Sequence, residues 1–137
     1  MIAIVCVDHH LGMMFHNRRQ SQDRKLREKI KEITPSLTMN AYSYTLYQDV
    51  FKDAYVVEDF FNADGYCLFE NISVKQYENI IEELYIFNWN RDYPADFYLD
   101  IDLEQYECLY EEEFVGTSHE KITLRKYRKW EKEQEKK

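Results

Sequence analysis

The chain is short of the residues that break or cross-link a polypeptide. Its 137 residues include three glycines, two prolines and three cysteines. So little glycine and proline excludes long flexible linkers and suits one domain of ordinary size. No Cys-x-x-Cys pair and no Cys/His pair stands at ligand spacing, so a metal held by the cysteines is not expected. Cys6 and Cys67 sit in apolar runs and Cys108 in an alternating one. All three are expected as buried thiols in a reducing compartment. No stretch approaches the ~20 apolar residues of a membrane span. The apolar start of the chain is too short for a signal peptide core with its flanks. A cytoplasmic protein without membrane contact is therefore expected. Positive charge is also scarce: 18 basic residues face 26 acidic ones, for a net charge of −8. Nucleic acid binding needs a clustered basic face, so it is not expected.

What the chain does have is apolar and aromatic mass. Hydrophobic residues make up 45%, aromatic residues 16%, and twelve residues are Tyr. A chain of this length can bury a core without disulfides or metal. Tyr, with an apolar ring and a polar tip, suits half-buried sheets and pocket walls.

Hydrophobic periodicity then orders the elements. IAIVCV at positions 2–7 is a continuous β-branched run, as in a strand buried on both faces. Positions 8–12 break it, and 16–21 read as a polar, basic loop. Leu26, Ile30 and Ile33 recur at helical spacing over 23–33, with Ser21 or Asp23 as N-cap and Pro35 closing the helix. Short strands are expected at 37–39 and 55–57, and helix or loop at 41–47. A turn at 63–65 leads into the strand 66–70. Ser73 is expected to cap a helix over 74–83, followed by a strand at 84–89 and a loop at 90–96. Two alternating segments, 106–114 and 121–127, form a hairpin around the turn 116–120. Residues 1–129 thus form a single α/β domain with a mostly parallel central sheet, flanking helices and an antiparallel C-terminal hairpin. Residues 130–137 form a charged tail.

This order and several local strings resemble the dihydrofolate reductase family. The family opens with a buried strand, a mobile loop and a helix bearing an acidic residue that bonds the pteridine ring and assists protonation. In QSQDRKLREKI, residues 20–30, Asp23 takes that place. NISVKQYENIIEEL (71–84) is similar to the family's late helix and the strand it leads to. DFYLDIDL (96–103) is similar to the family's Asp-Thr-x-Phe-Pro-x-Ile-Asp stretch, and ITLRKYRK resembles its closing Phe-x-x-Tyr-x-Lys hairpin.

The departures bear on the cofactor. The family carries a Gly-Gly pair before its late helix, where the backbone approaches the NADPH pyrophosphate. Here that place reads Phe69-Glu70-Asn71, and a carboxylate would repel a phosphate by about 1 kcal/mol or more. The family's Gly-Arg-(Lys/His)-Thr is replaced by Asn40-Ala41-Tyr42-Ser43, which keeps only a hydroxyl. The middle of the chain is short for the adenosine elements. The first loop lacks the family's Trp and is basic instead, with His16, Arg18 and Arg19.

The resemblance implies Asp23 as the catalytic or substrate-binding carboxylate. Its competing role is a helix-start residue favoured by the helix dipole. His16, Arg18, Arg19, Tyr42, Ser43 and Asp96 are candidate ligand-binding residues, and no metal site is expected. His9 and His10, directly after a strand, are candidates for acid–base work. Gly116–Glu120 is expected to be a plain turn in which Ser118 and His119 cap local backbone groups. Three functions follow. The first is a ligand- or partner-binding protein that has lost NADPH, with no cofactor expected. The second is a divergent NADPH-dependent reductase acting on a pterin- or folate-like substrate, so that if the chain is an enzyme it is an oxidoreductase. The third is a hydrolase or nuclease using His9, His10 or His16. A small-molecule partner is expected, and an open sheet edge suits a homodimer.

Overall fold

The computed structural model describes residues 1–130, so the charged tail lies outside the described residues apart from Trp130. The strand IAIVCV is β1 (Ile2–Val7) and lies at the centre of a seven-stranded sheet. It pairs in parallel with β6 (Tyr66–Phe69) on one side and β7 (Glu83–Asn88) on the other. Beyond β6 run β4 (Thr38–Met39) and β5 (Tyr55–Val56), both parallel. Beyond β7 the chain closes with β10 (Ile122–Lys129) and β9 (Tyr106–Phe114), both pairings antiparallel. The order is β5-β4-β6-β1-β7-β10-β9. The expected mostly parallel sheet with an antiparallel C-terminal hairpin is what forms.

Alternation along β1 builds two cores. Ala3, Val5 and Val7 join one cluster with Phe60, Phe69, Tyr77 and Ile86. Ile4 joins the other with Leu26, Ile30, Tyr47, Phe87 and Leu124. Successive strand residues point to opposite faces, so a run with no polar member needs cover on both sides. On the Ile4 face the cover is α1 (Arg24–Ile33) and α2 (Ala41–Tyr47).

Three sequence expectations are corrected. The segment after β1 is not simply a loop. It contains β2 (Gly12–Phe15) and β3 (Arg18–Arg19), which form a second antiparallel sheet with β8 (Phe97–Tyr98) in the order β3-β2-β8. The β2–β3 turn is His16-Asn17, with φ of 51° and 61°. Two positive φ angles match the strand twist of a two-residue hairpin, but the usual Asn-Gly marker is absent.

The helix expected over 74–83 is only a 3-10 turn, Lys75–Ile80. Ser73 does not cap it; its hydroxyl donates to Asp100, whose carboxylate accepts from the Val74 and Lys75 N–H groups. The helix cannot continue because Glu82 N–H is already bonded to Met1 O and Glu83 pairs beside Ile2. Cys108 is exposed rather than buried, because it lies on β9, the outer strand of the sheet; Cys6 is half-buried and Cys67 buried.

Candidate functional site

Beyond the carboxyl ends of β1 and β6, Asp8 and Glu70 meet Gly12, Arg19 and Gln20 of the segment that carries the second sheet. Glu70 follows β6 directly and is 9% exposed. A buried carboxylate needs a partner, and Arg19 on β3 supplies one in a two-pronged contact: Nε to Oε2 at 2.9 Å and NH2 to Oε1 at 2.9 Å. Ser43 Oγ donates to the same Oε1 at 2.8 Å. The Arg19 guanidinium lies over the Tyr42 ring, 4.6 Å from its centre, and Arg19 N–H donates to the Tyr42 hydroxyl. Burial alone would weaken the charge on Arg19, but the Glu70 contact outweighs it and strengthens proton retention. Beneath this pair the Cys6 thiol is pushed far up by burial and then by the Glu70 charge, so it stays protonated and unreactive.

Arg19 and Glu70 leave little room behind them. The space bounded by Cys6, Met13, Gln20, Ser21 and Trp89 measures about 10 Å³, about the room one water needs. Gln20 closes the same side by donating to Asp8 at 3.0 Å and to the Pro94 carbonyl at 3.3 Å, while its buried Oε1 finds no donor among the described residues. Burial would raise the Asp8 pKa, but N–H donors from Gly12, His10 and Tyr93 and the Gln20 amide outweigh it and hold the carboxyl low. Gly12 is needed here, because a Cβ would stand 2.6 Å from both Ala95 Cβ and Gln20 Nε2. Outside Arg19 a larger cleft opens, about 530 Å³, lined by Phe15, His16, Arg18, Arg19, Gln20, Tyr93 and Pro94.

The candidate residues therefore divide. Arg19 and Ser43 bond Glu70, and Tyr42 packs against Arg19. His16 and Arg18 line the outer cleft; His16 stacks on Phe15 at 3.8 Å, and its backbone N–H donates to Asp96 at 3.1 Å. Asp23 stands apart. It is 1% exposed and caps α1, accepting from the N–H groups of Lys25, Leu26 and Thr117 on Oδ1. Its Oδ2 accepts from Ser118 N–H and Oγ and lies 2.8 Å from His119 Nδ1. Burial would raise its pKa, but the Ser118 and Thr117 N–H groups, the His119 ring and Leu26 N–H outweigh burial and hold it far below the carboxylate range. Gly116 lets the hairpin approach this closely; a Cβ there would stand 2.5 Å from Asp23 Oδ2. His9 is exposed, and His10 pairs with Asp92 at 3.2 Å on the surface. Among the described residues no three His, Cys, Asp or Glu side chains gather to hold a metal.

His119 was expected to serve only the turn. It is instead 4% exposed, stacks on Trp89 at 4.6 Å, and links Asp23 to Ser21, whose Oγ lies 2.9 Å from its Nε2. A strand-order argument could not find it, because Asp23 and His119 are 96 residues apart.

No protein-family model and no curated protein sequence matches the chain. Among solved structures it is similar to a dihydrofolate reductase from Enterococcus faecalis complexed with NADP(H) and RAB-propyl. The superposition has a TM-score of 0.70 at 12% identity and covers 95% of this chain and 96% of that one. The architecture is dihydrofolate reductase-like over 95% of the chain.

Proposed function

We propose that this dihydrofolate reductase-like chain binds a small anionic molecule in the Phe15–Pro94 cleft and does not carry out NADPH-dependent reduction. The observation that carries the reading is the Arg19–Glu70 pair, which occupies the strand ends and leaves about 10 Å³ behind it.

The residues at the family's phosphate-binding positions do not fit a dinucleotide. The resemblance places the pyrophosphate beside Glu70-Asn71 and the start of the late helix. There the Val74 and Lys75 N–H groups already donate to Asp100. It places the adenosine phosphate at Asn40–Ser43, where Ala41 N–H donates to Glu58 at 2.9 Å. Each set of backbone donors that would meet a phosphate meets one of the protein's own carboxylates instead. Asp23 accepts bonds on both oxygens from its own helix and hairpin, which leaves little acceptor capacity for a pteridine.

The outer cleft supports the binding half of the reading. Arg19 spends its charge on Glu70, while Arg18 is exposed and has no ion-pair partner among the described residues. Arg18 therefore presents an uncompensated charged donor to an anion, beside the His16 ring. Calorimetric titration with pyrophosphate and with succinate, beside NADPH oxidation in the presence of dihydrofolate, tests both halves. Binding of one of the two anions, weakened about tenfold by Arg18→Ala, is expected, since a charged hydrogen bond contributes about 1.5 kcal/mol or more. No turnover is expected. NADPH oxidation that is lost in Asp23→Asn would establish a reductase and overturn the proposal.

A further inference from the structure

Asp23, His119 and Ser21 stand in the relation of an acid, a base and a nucleophile. Asp23 Oδ2 lies 2.8 Å from His119 Nδ1, and His119 Nε2 lies 2.9 Å from Ser21 Oγ. Because Asp23 stays ionised, His119 Nδ1 carries the proton and donates to it. Nε2 is then the free acceptor and faces the Ser21 hydroxyl. Trp89, stacked on the imidazole at 27° between planes, fixes the ring against rotation. The hydroxyl of Tyr93 stands 3.4 Å from Ser21 Oγ and 3.3 Å from His119 Nε2.

We propose that Ser21, His119 and Asp23 form a hydrolytic site for small carboxylic esters, with Tyr93 as the donor to the developing oxyanion. The Ser21 proton passes to His119 Nε2 as Oγ bonds to the acyl carbon. The carbonyl oxygen gains charge and accepts from the Tyr93 hydroxyl. The bond to the leaving alcohol breaks, and that oxygen takes the proton from His119. Water then attacks the Ser21 ester with His119 again as base. The acid is released and Ser21 regains its proton. One ester and one water give one acid and one alcohol, with no oxidant or reductant.

Access follows from the surrounding spaces. Ser21 is half-buried and lines the small space behind Arg19 and Glu70. Arg19 and Gln20 wall both this space and the outer cleft, and Tyr93 lines the outer cleft. The Arg19 side chain is thus the partition between cleft and nucleophile. A preference for esters that carry an anionic group rests on the binding reading above; the hydrolytic chemistry does not.

Labelling with a small alkyl fluorophosphonate, mapped by peptide mass spectrometry, tests the site without needing the natural substrate. An adduct on Ser21 is expected, absent in Ser21→Ala and formed at least about 100-fold more slowly in His119→Gln, the ordinary worth of a general base. Arg19→Ala should accelerate labelling by removing the partition. If neither wild type nor Arg19→Ala forms a Ser21 adduct, or if the rate is unchanged in His119→Gln, the proposal is overturned. Hydrolysis of p-nitrophenyl acetate against the p-nitrophenyl ester of succinate then separates the two claims. Equal rates on both would remove the anionic preference and leave the hydrolytic site standing.

Discussion

Asp23 illustrates how one side chain is read differently from sequence and from contacts. Its position three residues before the apolar stripe of α1 makes it an N-cap, and that role holds. Its other bonds, to Thr117, Ser118 and His119, tie the start of α1 to the β9–β10 turn. Replacing it with Ala removes a cap worth ~1 kcal/mol and strands buried N–H groups worth ~1–3 kcal/mol. Asp23→Ala is therefore expected to cost about 3 kcal/mol in urea unfolding. The folded pKa lies below the unfolded value of about 4, so the carboxylate stabilises the fold above pH ~4 and that stabilisation is lost as pH falls. Wild type should lose stability more steeply than Asp23→Asn on acidification. Equal acid slopes would show that the charge of Asp23 does no such work.

At the scale of elements, the sequence periodicity located strands well and misjudged one helix. Alternation or continuous apolarity marks β1, β6, β7, β9 and β10 locally, so their pattern is legible without partners. The segment 74–83 carries the same apolar spacing as a helix, yet the Glu82 N–H bond to Met1 O and the pairing of Glu83 beside Ile2 end it as a 3-10 turn, whose first N–H groups Asp100 accepts. Asp100→Ala should release the Val74 and Lys75 N–H groups and lower stability by about 1–2 kcal/mol. Faster hydrogen exchange at those two amides is the specific signature. Unchanged protection there would mean that Asp100 is not what holds the turn. The small β3-β2-β8 sheet was not legible either: its strands are two to four residues long, and β8 lies some eighty positions beyond β2.

At the scale of the whole molecule, the Arg19–Glu70 pair joins the small sheet to the end of the large one. Glu70 is nearly buried, so removing Arg19 leaves its charge without a partner. Breaking a buried pair costs ~3–5 kcal/mol, and the partial exposure of Arg19 lowers the expectation to about 2–3 kcal/mol. Arg19→Met should show this loss, and Arg19→Met with Glu70→Gln should recover about half of it. Strictly additive effects in the double-mutant cycle would show that the two side chains are not coupled.

The amino-acid sequence by itself determined the single α/β domain, the central β-branched strand and the closing hairpin, because these follow from hydrophobic spacing within a few residues. The resemblance to the reductase family implies, further, that Glu70 and Asn40–Ser43 stand at that family's phosphate-binding positions. Only the tertiary structure decided that Glu70 is neutralised by Arg19, that Asp100 accepts from Lys75 N–H and Glu58 from Ala41 N–H, and that His119 stands between Asp23 and Ser21. Each of these contacts joins residues 17 to 98 positions apart. No local pattern encodes such pairings, because they are chosen by the packing of the two sheets and the hairpin turn.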